Sequence, residues 1–75
     1  MNICDLKKGE RAVVFHVNLP VAMRERLRFL GIYSGAKLVL LKVSLFKKTF
    51  LVQAGSAKVA LGRDVAEEVR VCRTK

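Results

Sequence analysis

The sequence is short of what a small domain uses to hold a metal or a reactive centre. It has two cysteines, Cys4 and Cys72, almost at its two ends, and no Cys-x-x-Cys pair or Cys/His cluster. Zinc-ribbon readings therefore fail. His16 is the only histidine. An iron site there would need carboxylate, thiolate or further imidazole ligands, and none lies nearby in sequence. No carboxylate pair marks a cleft and no Gly-rich loop offers a phosphate cradle, so no catalytic constellation forms and an enzyme is not expected. No apolar run is longer than four residues, as in Leu38 to Leu41, which is far too short to span a membrane. Asn2 to Arg11 is polar and charged, so no signal peptide is visible. A cytoplasmic protein with free thiols is the expectation. There is no linker, repeat or low-complexity tract. The 75 residues read as one domain, 1–75, with a small core and no room for a deep cleft.

Acid is scarce as well: 6 Asp plus Glu stand against 15 Lys plus Arg, a formal net charge of +9. That balance calls for an acidic partner, whether nucleic acid, an anionic membrane surface or an acidic protein, and does not choose among them. Hydrophobic residues make up 52% of the chain, enough to fold without a staple.

The local signals order the chain. Ile3 and Leu6 read as buried anchors of a lead-in that turns at "KKG". Arg11 to Val17 reads as a first strand, stopped by Asn18, Leu19 and Pro20. A helix starts near Pro20, since proline suits a first turn. Met23, Leu27 and Leu30 recur at helical spacing and predict one apolar stripe. Gly31 follows where a left-handed cap wants glycine, and Ile32 is placed to fold back onto Leu27. After a turn at Tyr33, Ser34 and Gly35, Ala36 to Val43 reads as a strand and Ser44 to Lys48 as a loop. Thr49 to Ala54 and Ala57 to Leu61 form a hairpin across Gly55-Ser56. Asp64 and Glu67 suggest a capping box for a short helical turn. Val69 to Cys72 closes the chain.

Five short strands in 75 residues cannot hide two open sheets. The expected fold is mainly β: a small SH3-like five-stranded barrel, closed so as to remove its edges, with an α-helix inserted after the first strand. An OB-fold would want longer strands and a later helix.

The helix-to-strand corner, with Arg24, Arg26, Leu27, Leu30, Gly31, Ile32 and Gly35, resembles the FeoA family of bacterial ferrous-iron uptake accessory proteins. The module is similar to the C-terminal SH3-like domain of iron- and manganese-dependent repressors. A chain of this length lacks the DNA-reading half of such a repressor. "LKKGERAVV" resembles the family's opening strand and "AKVALGRDVAEEVRV" its closing strand and terminal turn. The chain departs from the family in two places. "SLFKKTF" stands where many members carry a "PLGDP"-like loop, and His16 stands where a small residue is frequent. The resemblance implies a non-enzymatic protein, with no cofactor and no small-molecule substrate. It would bind the cytosolic face of a FeoB-type transporter and modulate its nucleotide-driven iron uptake, and so would sit at the inner membrane only through that partner.

The period-two rule adds a surface to this reading. If Leu38 and Leu40 point inward, Val39 and Leu41 point outward, as does Leu51. Those residues either lie under Met23, Leu27 and Leu30, or form part of a docking patch with Phe46 at its edge. The expected partner-binding residues are Arg24, Arg28, Tyr33, Val39, Leu41, Phe46, Lys47 and Lys48, with no catalytic or metal residues. Of the other aromatics, Phe50 is expected in the core and Phe29 at the surface. Cys4 and Cys72 are bystander thiols unless the closing strand brings them together. The alternative function is a small basic nucleic-acid-binding barrel, which rests on charge and lacks a stacking platform by spacing. A metal-sensing regulator would need ligands that cannot be assembled here. Self-association through barrel edges and the apolar strand stays open.

Overall fold

The computed structural model describes residues 1–74. Its elements are β1 (Arg11–Val17), α1 (Val21–Phe29), β2 (Lys37–Val43), β3 (Thr49–Ala54), β4 (Ala57–Gly62), α2 (Arg63–Ala66) and β5 (Val69–Thr74). Two short 3-10 turns cover Ile3–Asp5 and Leu45–Lys47. The architecture is mainly β and matches the expected SH3-like arrangement, with the helix inserted after the first strand.

All strand pairings are antiparallel, in the order β4-β3-β2-β1-β5. The sheet curls around a single core of Ile3, Val14, Leu27, Ile32, Leu40, Phe50, Val52, Val69 and Val71 with smaller residues between them. Two one-residue bulges tighten the curl. In β1 the pairing slips between Val14 and His16, which leaves Phe15 unmatched; in β2 it slips between Leu40 and Lys42, which leaves Leu41 unmatched.

The expected closure is not made by hydrogen bonds: β4 and β5 end the strand order and do not pair. The seam is spanned by packing instead. Helix α2 touches β4 and β3, and the Ile3–Asp5 turn touches both α2 and β5. The outer edge of β5 is capped by the N-terminus, where Val71 N–H donates to the Met1 carbonyl at 2.9 Å and Asn2 bridges Arg70. A seam filled this way buries the edge without a sixth pairing.

The Gly31 corner forms as expected. Ile32 N–H donates to the Leu27 carbonyl at 2.8 Å and Gly31 N–H to the Arg28 carbonyl at 3.0 Å, the two bonds of a Schellman cap. Gly31 has φ +95, and Ile32 is fully buried.

The apolar stripe is a partial correction. Leu27 is buried, Met23 is half-buried and Leu30 is exposed. With only Leu27 entering the core, α1 plugs the core rather than roofing the outward face of β2. Val39, Leu41 and Leu51 stay outside the core, half-buried on the outward side. The capping box at Asp64 is also corrected. Strand β4 runs to Gly62, so Gly62 occupies the cap position, no side chain caps α2, and Glu67 instead pairs with Arg63 at 3.2 Å. A capping box does occur at the N-terminus. Asn2 Oδ1 accepts from Cys4 N–H at 2.8 Å, and Asp5 Oδ2 accepts from Asn2 N–H at 3.0 Å.

The corner yields a stability prediction. Gly31 and Gly35 both have left-handed φ, +95 and +97, but a Cβ on residue 31 would stand 3.3 Å from both Cβ and the carbonyl oxygen of Ala54, whereas one on residue 35 meets nothing within 4 Å. Gly35→Ala should therefore cost about 1 kcal/mol of unfolding free energy, the conformational penalty alone. Gly31→Ala should cost roughly 2–3 kcal/mol, because crowding adds to that penalty. Urea unfolding of the two variants checks the difference; equal losses would mean that the contact with Ala54 relaxes freely.

Candidate partner-binding surface

The eight expected contact residues fall on three stations along β2. Before β2, Arg24 and Arg28 from α1 face Tyr33 across an open depression of about 340 Å³, which His16, Glu25 and Ser34 also line. The Schellman cap makes this possible: it reverses the chain within two residues, so Tyr33 and Ser34 lie back beside the helix. The Ser34 hydroxyl donates to the Phe15 carbonyl at 3.3 Å and ties this turn to the β1 bulge.

Along β2, Val39 sits in a row across the outside of the sheet. The register places Gln53, Val39, Arg11 and Thr74 side by side on four strands. Lys37 joins this row around a second, flatter depression of about 530 Å³. Leu41 is the bulge residue, half-buried.

Beyond β2, Phe46, Lys47 and Lys48 belong to the loop to β3. Seven residues of strand separate this loop from the Tyr33 turn, a span of about 20 Å at strand rise, in a molecule of 29 × 26 × 23 Å. The structure thus brings Arg24, Arg28 and Tyr33 together and keeps them apart from Phe46, Lys47 and Lys48.

The loop is tightly built. Ser44 and Thr49 bracket it: Ser44 N–H donates to the Thr49 carbonyl at 2.9 Å, and the Ser44 hydroxyl accepts from Thr49 N–H at 2.8 Å and from Lys48 N–H at 3.2 Å. Lys47 N–H donates to the Ser44 carbonyl at 2.9 Å. Inside this clamp Phe46 (φ 66) and Lys47 (φ 54) both take the left-handed region, at a cost of roughly 1–2 kcal/mol each. The result displays Leu45 and Phe46, which are 80% and 77% exposed.

Two of these features escaped sequence reasoning. Leu45 is as exposed as Phe46, and its only advance signal is that it stands beside Phe46 in a loop with lysines. His16 lines the depression with both arginines, and no local signal gives that placement because it depends on where the fold sets β1 and α1.

The electrostatics follow from where the acids sit. No Asp or Glu lies between Glu25 and Asp64. Most of the acids outside that stretch are tied up: Glu10 with Arg73 at 2.7 Å, Glu67 with Arg63 at 3.2 Å, Glu68 with the Asn18 amide at 2.7 Å, and Asp5 in its cap. Among the described residues no ion pair engages Arg24, Arg28, Lys47 or Lys48. Lys47 and Lys48 thus keep their field for an anionic partner, and Glu25 alone offsets Arg24 and Arg28 in their depression.

Both thiols are free. Cys72 faces outward on β5 and is exposed. Cys4 is half-buried against the core, with Sγ 4.0 Å from the Arg63 carbonyl oxygen. Burial first, and the Glu67 carboxylate next, push its thiol above the ordinary value. Among the described residues no three His, Cys, Asp or Glu side chains converge to hold a metal.

A curled five-stranded sheet plugged by one helix, with an open basic and apolar exterior, is the plan of a small SH3-like domain. The FeoA domain model matches residues 1–73, and the chain belongs to the FeoA family, which is associated with ferrous iron transport. The structure superposes on FeoA from Chlorobium tepidum with a TM-score of 0.93 at 32% identity, covering 100% of this chain and 71% of that one. It superposes on Stenotrophomonas maltophilia FeoA with a TM-score of 0.81 at 30% identity, covering 96% and 89%. That protein was determined in complex with zinc. It is described as a unique procaryotic SH3 domain protein and a candidate bacterial ferrous iron transport activating factor. A FeoA-like protein from Clostridium acetobutylicum shares the fold at a TM-score of 0.85 and 11% identity, covering 100% and 87%. Among curated proteins none matches the sequence significantly.

The thiols give a direct check of the packing. Iodoacetamide should modify Cys72 on the order of tenfold faster than Cys4 at neutral pH, because the thiolate is the nucleophile and burial withholds it at Cys4. As pH rises, Cys4 labelling should keep increasing past the ordinary thiol range. Peptide mass mapping reads both sites, and equal rates at neutral pH would contradict the placement of Cys4.

Proposed function

We propose that this protein is a non-enzymatic accessory subunit that docks on the cytosolic face of a FeoB-type ferrous iron transporter and modulates it by protein–protein contact. Membership of the FeoA family over residues 1–73 carries this reading. The shape of the molecule supports it. Its depressions are shallow and open, its core is filled by its own side chains, and its free functional groups lie outside. Such a surface offers recognition rather than chemistry.

The docking site on this reading is the depression of Arg24, Arg28 and Tyr33, continued along β2 by Val39 and Leu41. Tyrosine and arginine are the residues that most often dominate an interface. The two guanidiniums would meet carboxylates on the partner, and half-buried Val39 and Leu41 would supply contact area that salt does not weaken. None of the helices in the described residues is long and apolar enough to cross a membrane, so the transporter supplies the membrane-embedded part.

Titration of the purified protein against the cytosolic domain of a cognate FeoB-type transporter tests this, at low and high salt, with a random oligonucleotide as control. Binding to the transporter domain should persist at high salt and the oligonucleotide should not bind. The Arg28→Ala and Tyr33→Ala substitutions together should weaken binding by tenfold or more with thermal unfolding unchanged, as expected on the order of 1.4 kcal/mol for the loss of interface anchors. Steeply salt-sensitive oligonucleotide binding without transporter binding would favour the nucleic-acid reading.

A further inference from the structure

The β2–β3 loop has a construction that the transporter contact does not use. Leu45 and Phe46 stand side by side at its tip, 80% and 77% exposed, and the molecule accepts left-handed backbone at Phe46 and Lys47 to hold them there. A loop free to choose would fold these side chains back or replace them with glycine and polar residues. The Ser44–Thr49 clamp fixes the tip instead.

We propose that this tip is a membrane anchor: Leu45 and Phe46 insert into the headgroup and upper acyl region of an anionic bilayer, while Lys47 and Lys48 remain at the headgroup plane. The two side chains project with most of their surface free, 80% and 77% exposed, so they suit a soft medium that closes around them. The side chains are ordered as an interface requires, with two apolar residues leading and two lysines directly behind. Lysine stems can bury against the acyl boundary while their ammonium groups stay wet. Charge complementarity names the lipid. Lys42, paired with Leu51 at the loop end of β2, stands on the same end of the sheet as Lys47 and Lys48, and no Asp or Glu occurs anywhere from β2 through β4, so an anionic leaflet attracts this end and no acid of these strands repels it. An apolar tip plus the lysines beside it is the two-signal arrangement that reversible membrane attachment needs. This inference goes beyond the transporter reading and does not rest on it, because lipid alone is the ligand.

The sequence contains no tryptophan, so a single introduced one reports its own environment. Phe46→Trp places it at the tip. Phe29→Trp places it on a side chain that is 91% exposed at the end of α1, away from the loop. Each full-length variant is mixed with vesicles of phosphatidylethanolamine and phosphatidylglycerol, and separately with vesicles of phosphatidylcholine alone. The Phe46→Trp emission should shift to the blue and be quenched by brominated acyl chains on the anionic vesicles only, and the Phe29→Trp emission should not move. In sedimentation with the anionic vesicles, Leu45→Ser with Phe46→Ser should lower partitioning roughly tenfold or more, from the lost apolar burial. Lys47→Glu with Lys48→Glu should lower it on the order of thirtyfold or more. Both pairs lie on the exposed loop, and an unchanged melting temperature confirms their fold. No blue shift at Phe46→Trp would overturn the proposal, and so would equal shifts at both positions, which would mean adsorption without an inserted tip. A Phe46→Trp shift caused by the transporter's cytosolic domain and not by lipid would assign the tip to protein and overturn it as well.

Discussion

Residue 31 is the constraint on which the rest of the structure depends. A five-stranded sheet from so short a chain leaves its core open unless something plugs it, and the plug is Leu27. Leu27 enters only because the chain reverses directly after α1, and the reversal needs a left-handed residue whose missing side chain lets the helix end approach Ala54 on β3. The same reversal buries Ile32 and returns Tyr33 beside Arg24 and Arg28. One backbone conformation thus serves the core and the candidate surface together.

The second organising feature is how this small sheet handles its edges. A closed ring of hydrogen bonds would settle the problem, but β4 and β5 do not meet. Short elements at the chain's N-terminus and after β4 fill the seam, and the backbone of Met1 and Asn2 covers β5. Because the seam is held by packing around Ile3 and Ala66, both fully buried, Cys4 is drawn in with it and its thiol is desolvated. Cys72, one strand away, points outward by alternation and stays free.

Much of the architecture was legible. The strand order, the helix, its glycine stop and the inward Leu38 and Leu40 follow from spacing that has one sensible three-dimensional reading, while the last strand runs to Thr74 rather than stopping at Cys72. The misreadings have local causes. Leu30 fits the helical stripe, but the Schellman cap turns the chain there and leaves it outside. Asp64 suits a cap by type, but β4 continues one residue further and takes the position. The candidate surface was legible by residue type and not by place. Arg24, Arg28 and Tyr33 converge, and Phe46, Lys47 and Lys48 do not join them, because β2 is a rigid spacer between the two groups.

The sequence by itself determined the charge balance of the surface, 15 Lys plus Arg against 6 Asp plus Glu. Hydrophobic spacing and glycine placement also determined the order of elements, since period and backbone freedom are local properties. The tertiary structure decided what meets what. It set His16 against the arginines, left β4 and β5 unjoined, unmatched Phe15 and Leu41 as bulges, and held Phe46 outward on strained backbone. Each of these depends on contacts between residues far apart in the chain. No window of local sequence carries that information, because sheet curl and side-chain packing fix it only once all five strands are in place.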